Sequence, residues 1–375
     1  MIPFNIASIT DHEIALLKES ISRHHISGVG HFTKQCEQFL QEEFGAPRVL
    51  LTTSCTHSLE MSALLAGVHP GDEVIVPAYT FVSSASAFAL YGAVPVFVDV
   101  YDDTLNLNVD LVRSAITPKT KAICVVHYGG ISSQLESLVK LASQHGLMLI
   151  EDNAHGLFST FHGKPLGTYG HLGTQSFHET KNITCGEGGA LVINDPNLVE
   201  RAEILREKGT DRSRFLRGQV DKYTWVDIGS SWVLSDILAA VLWGQLQRST
   251  KINAKRVAIF DRYLTELHTW AHERGFRLPV VSAGNMHTGH LFYIRLSNVE
   301  QRDRFIQHLK SRGVSAVFHY QPLHLSTVGK RFGGWEGMCP VAEDAGDTLV
   351  RLPLFFDLSP DDQSHVIAAV TSFDR

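Results

Sequence analysis

Short apolar runs alternate with stretches of helical periodicity along the first half of the chain. Arg48–Leu51, Glu73–Pro77, Val94–Val100, Ala122–His127, Leu147–Asp152 and Ala190–Asn194 are rich in Val, Ile and Leu and predict strands. Ser58–Ala66, Val109–Ala115 and Gln134–Gln144 carry apolar residues three and four apart and predict helices between them. Strands alternating with helices imply the α/β class, a mainly parallel sheet in a three-layer arrangement. Ligands of such sheets sit at the carboxyl ends of the strands, where Asp152 and the Ser54–Thr56 loop fall. Beyond residue 246 the pattern changes. Ser235–Leu246 reads as an apolar helix and Lys251–Leu267 as a long amphipathic one. Leu291–Leu296 and Ala316–Tyr320 then read as strands flanking a helix at Arg302–Arg312. We expect a large domain over 1–246 and a smaller α+β domain over 247–375.

Composition narrows the picture. A chain of 375 residues exceeds what one core holds, about 250–300 residues, which supports two domains. With 44% hydrophobic and 19% charged residues it has a globular composition, and its net charge of -6 offers no basic field for nucleic acid. The nearly uncharged stretch Phe81–Val98 is interrupted by Ser83, Ser84, Ser86, Gly92 and Pro95. It predicts a buried helix followed by a buried strand, not a membrane span. Cys36, Cys55, Cys124, Cys185 and Cys339 are odd in number and form no CxxC, the usage of a reduced cytoplasmic protein. Met1–Asn5 lacks the basic start of a secretion signal. Twenty histidines raise the question of metal, but there is no HExxH. Cys124 and His127, three apart on a strand, point to opposite faces, so no metal site is expected. Gly28-x-Gly30 is not a dinucleotide fingerprint, and no GxSxG nucleophile elbow occurs.

The chemistry concentrates in two segments, Glu151-Asp152-Asn153-Ala154-His155 and Ser176-Phe177-His178-Glu179-Thr180-Lys181, the second followed by Gly186-Glu187-Gly188-Gly189. An acid at a strand end can hold a protonated ring nitrogen, and a nearby lysine can form a Schiff base. Together they suggest pyridoxal 5'-phosphate (PLP). Each has a plainer reading: Asp152 as a turn cap, Lys181 as a solvated charge. Ser54-Cys55-Thr56-His57 joins a strand to a helix; it is either a phosphate cradle or an ordinary N-cap. Phe81 could stack on a cofactor ring or belong to the core. The basic stretch Arg206–Lys222, with Tyr223 and Trp225, could hold a pyrophosphate and a base or be a solvated face.

Ser176-Phe177-His178-x-x-Lys181-Asn182, the glycine turn and His319-Tyr320-x-Pro322-Leu323-His324 resemble the DegT/DnrJ group of sugar-nucleotide aminotransferases, of PLP fold type I. Arg206–Thr210, Arg217–Trp225 and Asp227–Ser231 are most similar to the members that make dTDP-4-amino-4,6-dideoxygalactose. The resemblance implies Lys181 as the cofactor lysine, Asp152 on the pyridine nitrogen and Phe81 on the ring. It implies Thr56, His57 and Ser176 around the phosphate, with Ser231 of a partner subunit beside it. Substrate contacts are implied for Arg217, Lys222, Tyr223, Trp225, His319 and Tyr320. It further implies a homodimer with sites at the interface, L-glutamate as donor and C4 of a dTDP-4-keto-6-deoxyhexose as acceptor. His155 stands where relatives carry glutamine, near the cofactor's phenolic oxygen; its titration is expected to enter the pH response. The loop after Lys181 is one residue shorter than in the dideoxygalactose-forming member that serves enterobacterial common antigen synthesis.

Overall fold

The computed structural model describes residues 1–132 and 134–374. Among these residues twelve strands form: β1 (Arg48–Thr52), β2 (Glu73–Pro77), β3 (Val94–Val98), β4 (Thr120–Val126), β5 (Met148–Asp152), β6 (Thr160–Phe161), β7 (Lys164–Pro165), β8 (Leu172–Ser176), β9 (Gly189–Ile193), β10 (Asn285–Met286), β11 (Phe292–Arg295) and β12 (Leu349–Leu352). Seven make the main sheet in the order β1-β9-β8-β5-β4-β2-β3. Only β9 runs against the rest. The carboxyl ends of six strands and the start of β9 therefore meet at one rim.

Alternation along each strand gives the sheet two apolar faces. Val49 and Leu51 of β1, with Ala190 and Val192 of β9, pack under the helices His31–Phe44 and Asp236–Gln247. Leu50, Leu191 and Ile193 point the other way, against helix Cys55–Leu65. The result is the expected three-layer α/β arrangement. A separate cluster gathers Phe260, Tyr263 and Leu267 of helix Ser249–Arg274 with Phe292, Ile294, Val350 and Leu352 of the antiparallel β11–β12 pair. Helix Pro340–Thr348 leaves that cluster and sends Ala342 and Ala345 into the main core, so the C-terminal segment is anchored to the large sheet. Among the described residues no helix is long and apolar enough to cross a membrane; Phe81–Val98 forms helix Ser83–Ala89 and strand β3.

One expectation fails locally, and one strand forms that the apolar pattern does not announce. Ala316–Tyr320 is not a strand: it makes one bridge, Val317 to Arg351, before the chain turns toward Pro322, which has no N–H to continue a ladder. Conversely, Leu172–Ser176 is a fully buried strand despite its polar side chains. The Asn153 amide donates to Gln175 Oε1 at 3.2 Å, and the Thr174 hydroxyl donates to the Glu151 carbonyl at 3.4 Å. The Gly28/Gly30 pair has a packing reason: a Cβ on Gly30 would lie 2.4 Å from Asp236 Cγ. The Asp236 carboxylate accepts from Thr33 N–H at 2.8 Å at the start of helix His31–Phe44.

Two adjacent acids on β5 have separate tasks because successive side chains face opposite sides. Glu151 is fully buried. Its carboxylate sits 2.8 Å from His127 Nε2 and accepts the N–H groups of Gly167 at 2.8 Å, Tyr169 at 2.6 Å and Gly170 at 2.6 Å. It pins the 167–170 turn beneath the sheet, while Asp152 faces the rim. Glu151→Gln would set an amide N–H against backbone N–H donors. We expect it to lower stability by about 2–3 kcal/mol, read as a drop in the urea midpoint at constant slope.

Candidate active site

At the rim lies a cavity of about 690 Å³, walled on one side by the main sheet and on the other by the C-terminal segment. Ser54 and Thr56 line it where β1 passes into helix Cys55–Leu65. Ser54 caps this helix by accepting the His57 N–H at 3.1 Å, leaving other first-turn N–H groups toward the cavity mouth, the usual anion-binding end of a helix. Thr56 Oγ1 lies 2.8 Å from Ser83 Oγ, which joins this turn to the segment after β2. Ser176, at the end of β8, lines the same region. The glycine at the start of β9 allows this closeness: a Cβ on Gly189 would stand 2.3 Å from the Ser54 carbonyl carbon and 2.4 Å from the Cys55 nitrogen.

Asp152 is buried at the end of β5. Its Oδ2 accepts from Ser84 Oγ at 2.6 Å and its Oδ1 from Ala154 N–H at 3.2 Å, so its plane is set before any ligand arrives. Lys181 rides on the β8–β9 connection. A bridge between His178 and Gly186 closes this loop, and Gly186 adopts φ +88°, a left-handed conformation that suits glycine. The Lys181 amine enters the cavity with no hydrogen bond or ion pair among the described residues. Burial pulls its pKa down to about 8; Cys55 and Asp152 act against this, and Arg351 adds to it. An amine so placed is a nucleophile and a proton carrier near neutral pH.

The other wall is aromatic. His155 Nδ1 accepts the Gly129 N–H at 3.3 Å, so its proton sits on Nε2 and is offered to the Tyr320 hydroxyl at 3.1 Å. His290 packs on His155 with ring centres 4.3 Å apart, and His319 Nδ1 lies 2.7 Å from the Tyr128 hydroxyl. Burial first, then the Lys181 and Arg351 charges, holds His155 well below the usual histidine range. It is therefore a neutral donor, and the expected contribution of its titration to the pH response does not arise from this geometry. Phe81, 55% exposed, stands at the mouth with its ring 6.2 Å from Tyr320.

Of the residues singled out in the sequence, Thr56, Phe81, Asp152, His155, Ser176, Lys181, His319 and Tyr320 line this one cavity. His57 does not. It points the other way around the helix turn, with Nδ1 bonded to Thr53 Oγ1 and its ring near Trp232. Ser231 is exposed and bridged to Glu207, outside the chain's own cavity. Arg217 pairs with Glu203 at 2.7 Å, while Lys222, Tyr223 and Trp225 stay exposed. Sequence reasoning missed Ser84, Arg256, His290 and Arg351. Each comes from a separate part of the chain, and no local motif marks it. Among the described residues no group of three or more His, Cys, Asp and Glu is placed to hold a metal ion.

A rim lysine, an oriented acid and a helix-start anion cradle on this sheet define a PLP-dependent aminotransferase of fold type I. The comparisons agree. Residues 7–371 match the DegT/DnrJ/EryC1/StrS aminotransferase family, and the chain belongs to it. The aminotransferase TlmJ from Streptoalloteichus hindustanus is 34% identical over 99% of this chain and 98% of its own, with a TM-score of 0.91. S. venezuelae DesV is 30% identical over 100% and 99%, with a TM-score of 0.90. Spr1654 from Streptococcus pneumoniae, a sugar aminotransferase by its description, is 29% identical over 99% and 98% in its PMP form, with a TM-score of 0.92; a PLP form is also known.

Two measurements probe this geometry. PLP capture by the apoprotein, followed by absorbance, should rise through about pH 8 as the Lys181 amine loses its proton. It should level off above about pH 9, whereas an ordinary lysine would keep gaining toward about 10.4. His155→Gln should leave that profile unchanged between about pH 6 and 8. Gly189→Ala should push the Ser54–Cys55 backbone away and weaken PLP binding at least roughly tenfold in equilibrium titration.

Proposed function

We propose that the protein transfers the amino group of L-glutamate to C4 of dTDP-4-keto-6-deoxy-D-glucose. The product is a dTDP-4-amino-4,6-dideoxyhexose, in the galacto configuration, for surface-glycan biosynthesis in the cytoplasm. The observation that carries this reading is the Lys181 amine, held near neutrality opposite the oriented Asp152 carboxylate in a cavity large enough for a sugar. Bound PLP supplies the electron sink that makes the donor's α-proton acidic and stores the amino group between the two substrates. Asp152 would hold the proton of the pyridine nitrogen, with Ser84 fixing its orientation. Thr56, Ser176 and the helix-start N–H groups would hold the phosphate. Phe81 would cover the ring, and the His155 Nε2–H, through Tyr320, would set the polar edge beside it. Lys181 Nζ would take the proton from the donor's α-carbon and, in the second half, deliver one to C4 of the sugar.

The nucleotide end is assigned to a second copy of the chain. Phe215, Leu216, Tyr223, Trp225, Val226 and Ile228 are exposed in one segment, next to Arg217, Lys222 and Ser231. In a homodimer this segment would be covered, bringing Ser231 to the partner's phosphate cradle and the basic and aromatic side chains to its nucleotide. The similarity of Arg217–Trp225 to the dideoxygalactose-forming members supports the galacto product. The division at residue 246/247 belongs to the same proposal, with the smaller C-terminal domain supplying the sugar-facing wall.

Proton NMR of the product formed with glutamate, PLP and dTDP-4-keto-6-deoxyglucose tests the reading. A small H3–H4 coupling means an axial amine and the galacto product. A large coupling means the gluco epimer, and amination at C3 or no amino sugar sinks the C4 assignment. Lys181→Ala should abolish turnover; turnover at the wild-type rate would remove Lys181 from its role.

A further inference from the structure

Two stacked histidines of the cavity wall are held in opposite tautomers. His155 takes the Gly129 N–H on Nδ1 and presents Nε2–H. His290 is fixed the other way by Asn182, the residue after Lys181. The Asn182 amide Nδ2 donates to the Thr288 carbonyl at 2.8 Å; a carbonyl only accepts, so this amide cannot be turned round. Its Oδ1 therefore faces His290 Nδ1 at 3.0 Å, and the imidazole proton sits on Nδ1. Burial first, then the nearby His155, Lys181 and Arg256, holds His290 well below the usual histidine range, so the ring is neutral. Nε2 is then a bare acceptor on the cavity wall, and it makes no hydrogen bond among the described residues. The unpartnered Nδ1 atoms of His127 and His324, by contrast, are sealed in the interior. The direction of the His290 lone pair is set from behind as well. Arg256 Nε donates to the Gly289 carbonyl at 3.1 Å and Nη2 to the His290 carbonyl at 2.7 Å. Gly289, at φ +62°, presses so close that a Cβ there would stand 2.7 Å from the Arg256 carbonyl carbon.

An acceptor-only nitrogen chooses its partner by elimination. The carboxylates of the amino donor, the diphosphate and the ketone oxygen of the sugar only accept, and each would meet Nε2 lone pair to lone pair. The donor's amine is the group being transferred and is consumed at the reacting centre. The N–H and O–H groups of the nucleoside lie beyond the diphosphate, a whole pyranose ring from the reacting carbon. The hydroxyls of the sugar ring remain. Asn182 adjoins Lys181 in the chain, so His290 is held beside the residue that must reach the reacting carbon, and the hydroxyl next to that carbon is the one on C3. We infer that His290 Nε2 accepts a hydrogen bond from the C3 hydroxyl of the keto sugar, and so turns the ring to present C4. This rests on the proposed amination at C4. It divides the wall by role: His155 is a donor, and His290 is an acceptor that reads a hydroxyl. A sugar without that hydroxyl leaves the acceptor unpaired and is disfavoured for that reason.

dTDP-6-deoxygalactose keeps the C3 hydroxyl and has a hydroxyl in place of the ketone, so it binds without reacting. Its 3-deoxy counterpart lacks only the group in question. Both are titrated by calorimetry into protein loaded with pyridoxamine phosphate, as wild type, His290→Asn and His290→Gln, with PLP affinity measured in each. Asparagine keeps an N–H where Nδ1 stands and removes the acceptor; glutamine returns an amide oxygen to the place of Nε2. Wild type should hold the 3-hydroxy sugar roughly 3- to 10-fold more tightly than the 3-deoxy one. His290→Asn should lose that preference and His290→Gln recover part of it, with PLP affinity within about twofold throughout. Equal affinity of wild type for the two sugars overturns the inference without any variant. So does a preference that survives in His290→Asn, or absence of sugar binding to wild type. Rapid mixing separates the sugar from Lys181, whose protonated amine could also donate to Nε2. Reaction of His290→Asn with L-glutamate should stay within about twofold of wild type; the same loss in both halves assigns Nε2 to Lys181 and overturns the inference. Wild type that prefers the 3-hydroxy sugar but does not aminate dTDP-4-keto-6-deoxyglucose leaves His290 on the hydroxyl and sinks the amination at C4 instead.

Discussion

The alternation of side chains at the end of β5 is the constraint on which the site depends. Glu151 and Asp152 are neighbours in sequence, yet the pleat sends one beneath the sheet and the other into the cavity. The buried carboxylate is matched to His127 and three backbone N–H groups, and it holds the 167–170 turn that leads into β8. Because that register is fixed from below, Asp152 arrives at the rim at a defined depth, and β8 delivers Ser176 and the lysine loop beside it. A one-residue slip of β5 would exchange the two acids and lose both functions together.

Much of this was legible in the chain because it is carried by local pattern. Glu73–Pro77 and Val109–Ala115 have the bounds their apolar spacing predicts, and Asp152 sits at the strand end that the run before it marks, as Lys181 sits in the polar segment ahead of the glycine turn. What was not legible rests on pairing across long separations. Leu172–Ser176 carries Gly, Thr, Gln and Ser and looks like a loop until Asn153 and the Glu151 carbonyl are placed beside it. Ala316–Tyr320 has strand-like residues but finds a single rung before the chain turns. Ser84 aims Asp152 from 68 positions away, and Arg351 is one basic residue in an otherwise apolar strand. His57 shows the limit of motif reading from the other side: it adjoins a cavity residue, but a helical step of about 100° turns it toward Trp232.

The electrostatic character of the cavity is a product of its aromatic wall. His155, His290 and His319 are each held well below the usual histidine range, burial being the largest cause. These three of the chain's twenty histidines thus add no charge to that wall. The Lys181 amine, the Arg256 and Arg351 guanidinium groups and the carboxylates of Asp152 and Glu187 remain as its ionic features, each with a distinct geometry. A site built this way discriminates by hydrogen-bond direction and by the placement of a few charges, not by a diffuse field.

The reversed strand β9 has a consequence for how the molecule assembles. In the sheet, β1 pairs only with β9, and Leu50 meets Leu191 far later in the chain. Synthesis proceeds from the amino terminus, so β1 emerges early and can pack on helix His31–Phe44, but it has no strand to pair with until the β8–β9 hairpin exists. The same hairpin carries the lysine. Closing β9 beside β1 therefore brings Gly189 against the Ser54–Cys55 backbone and the lysine loop to the cradle in the same step. This edge of the sheet ties assembly to function: the lysine takes its place beside the cradle only with the pairing of the last main-sheet strand.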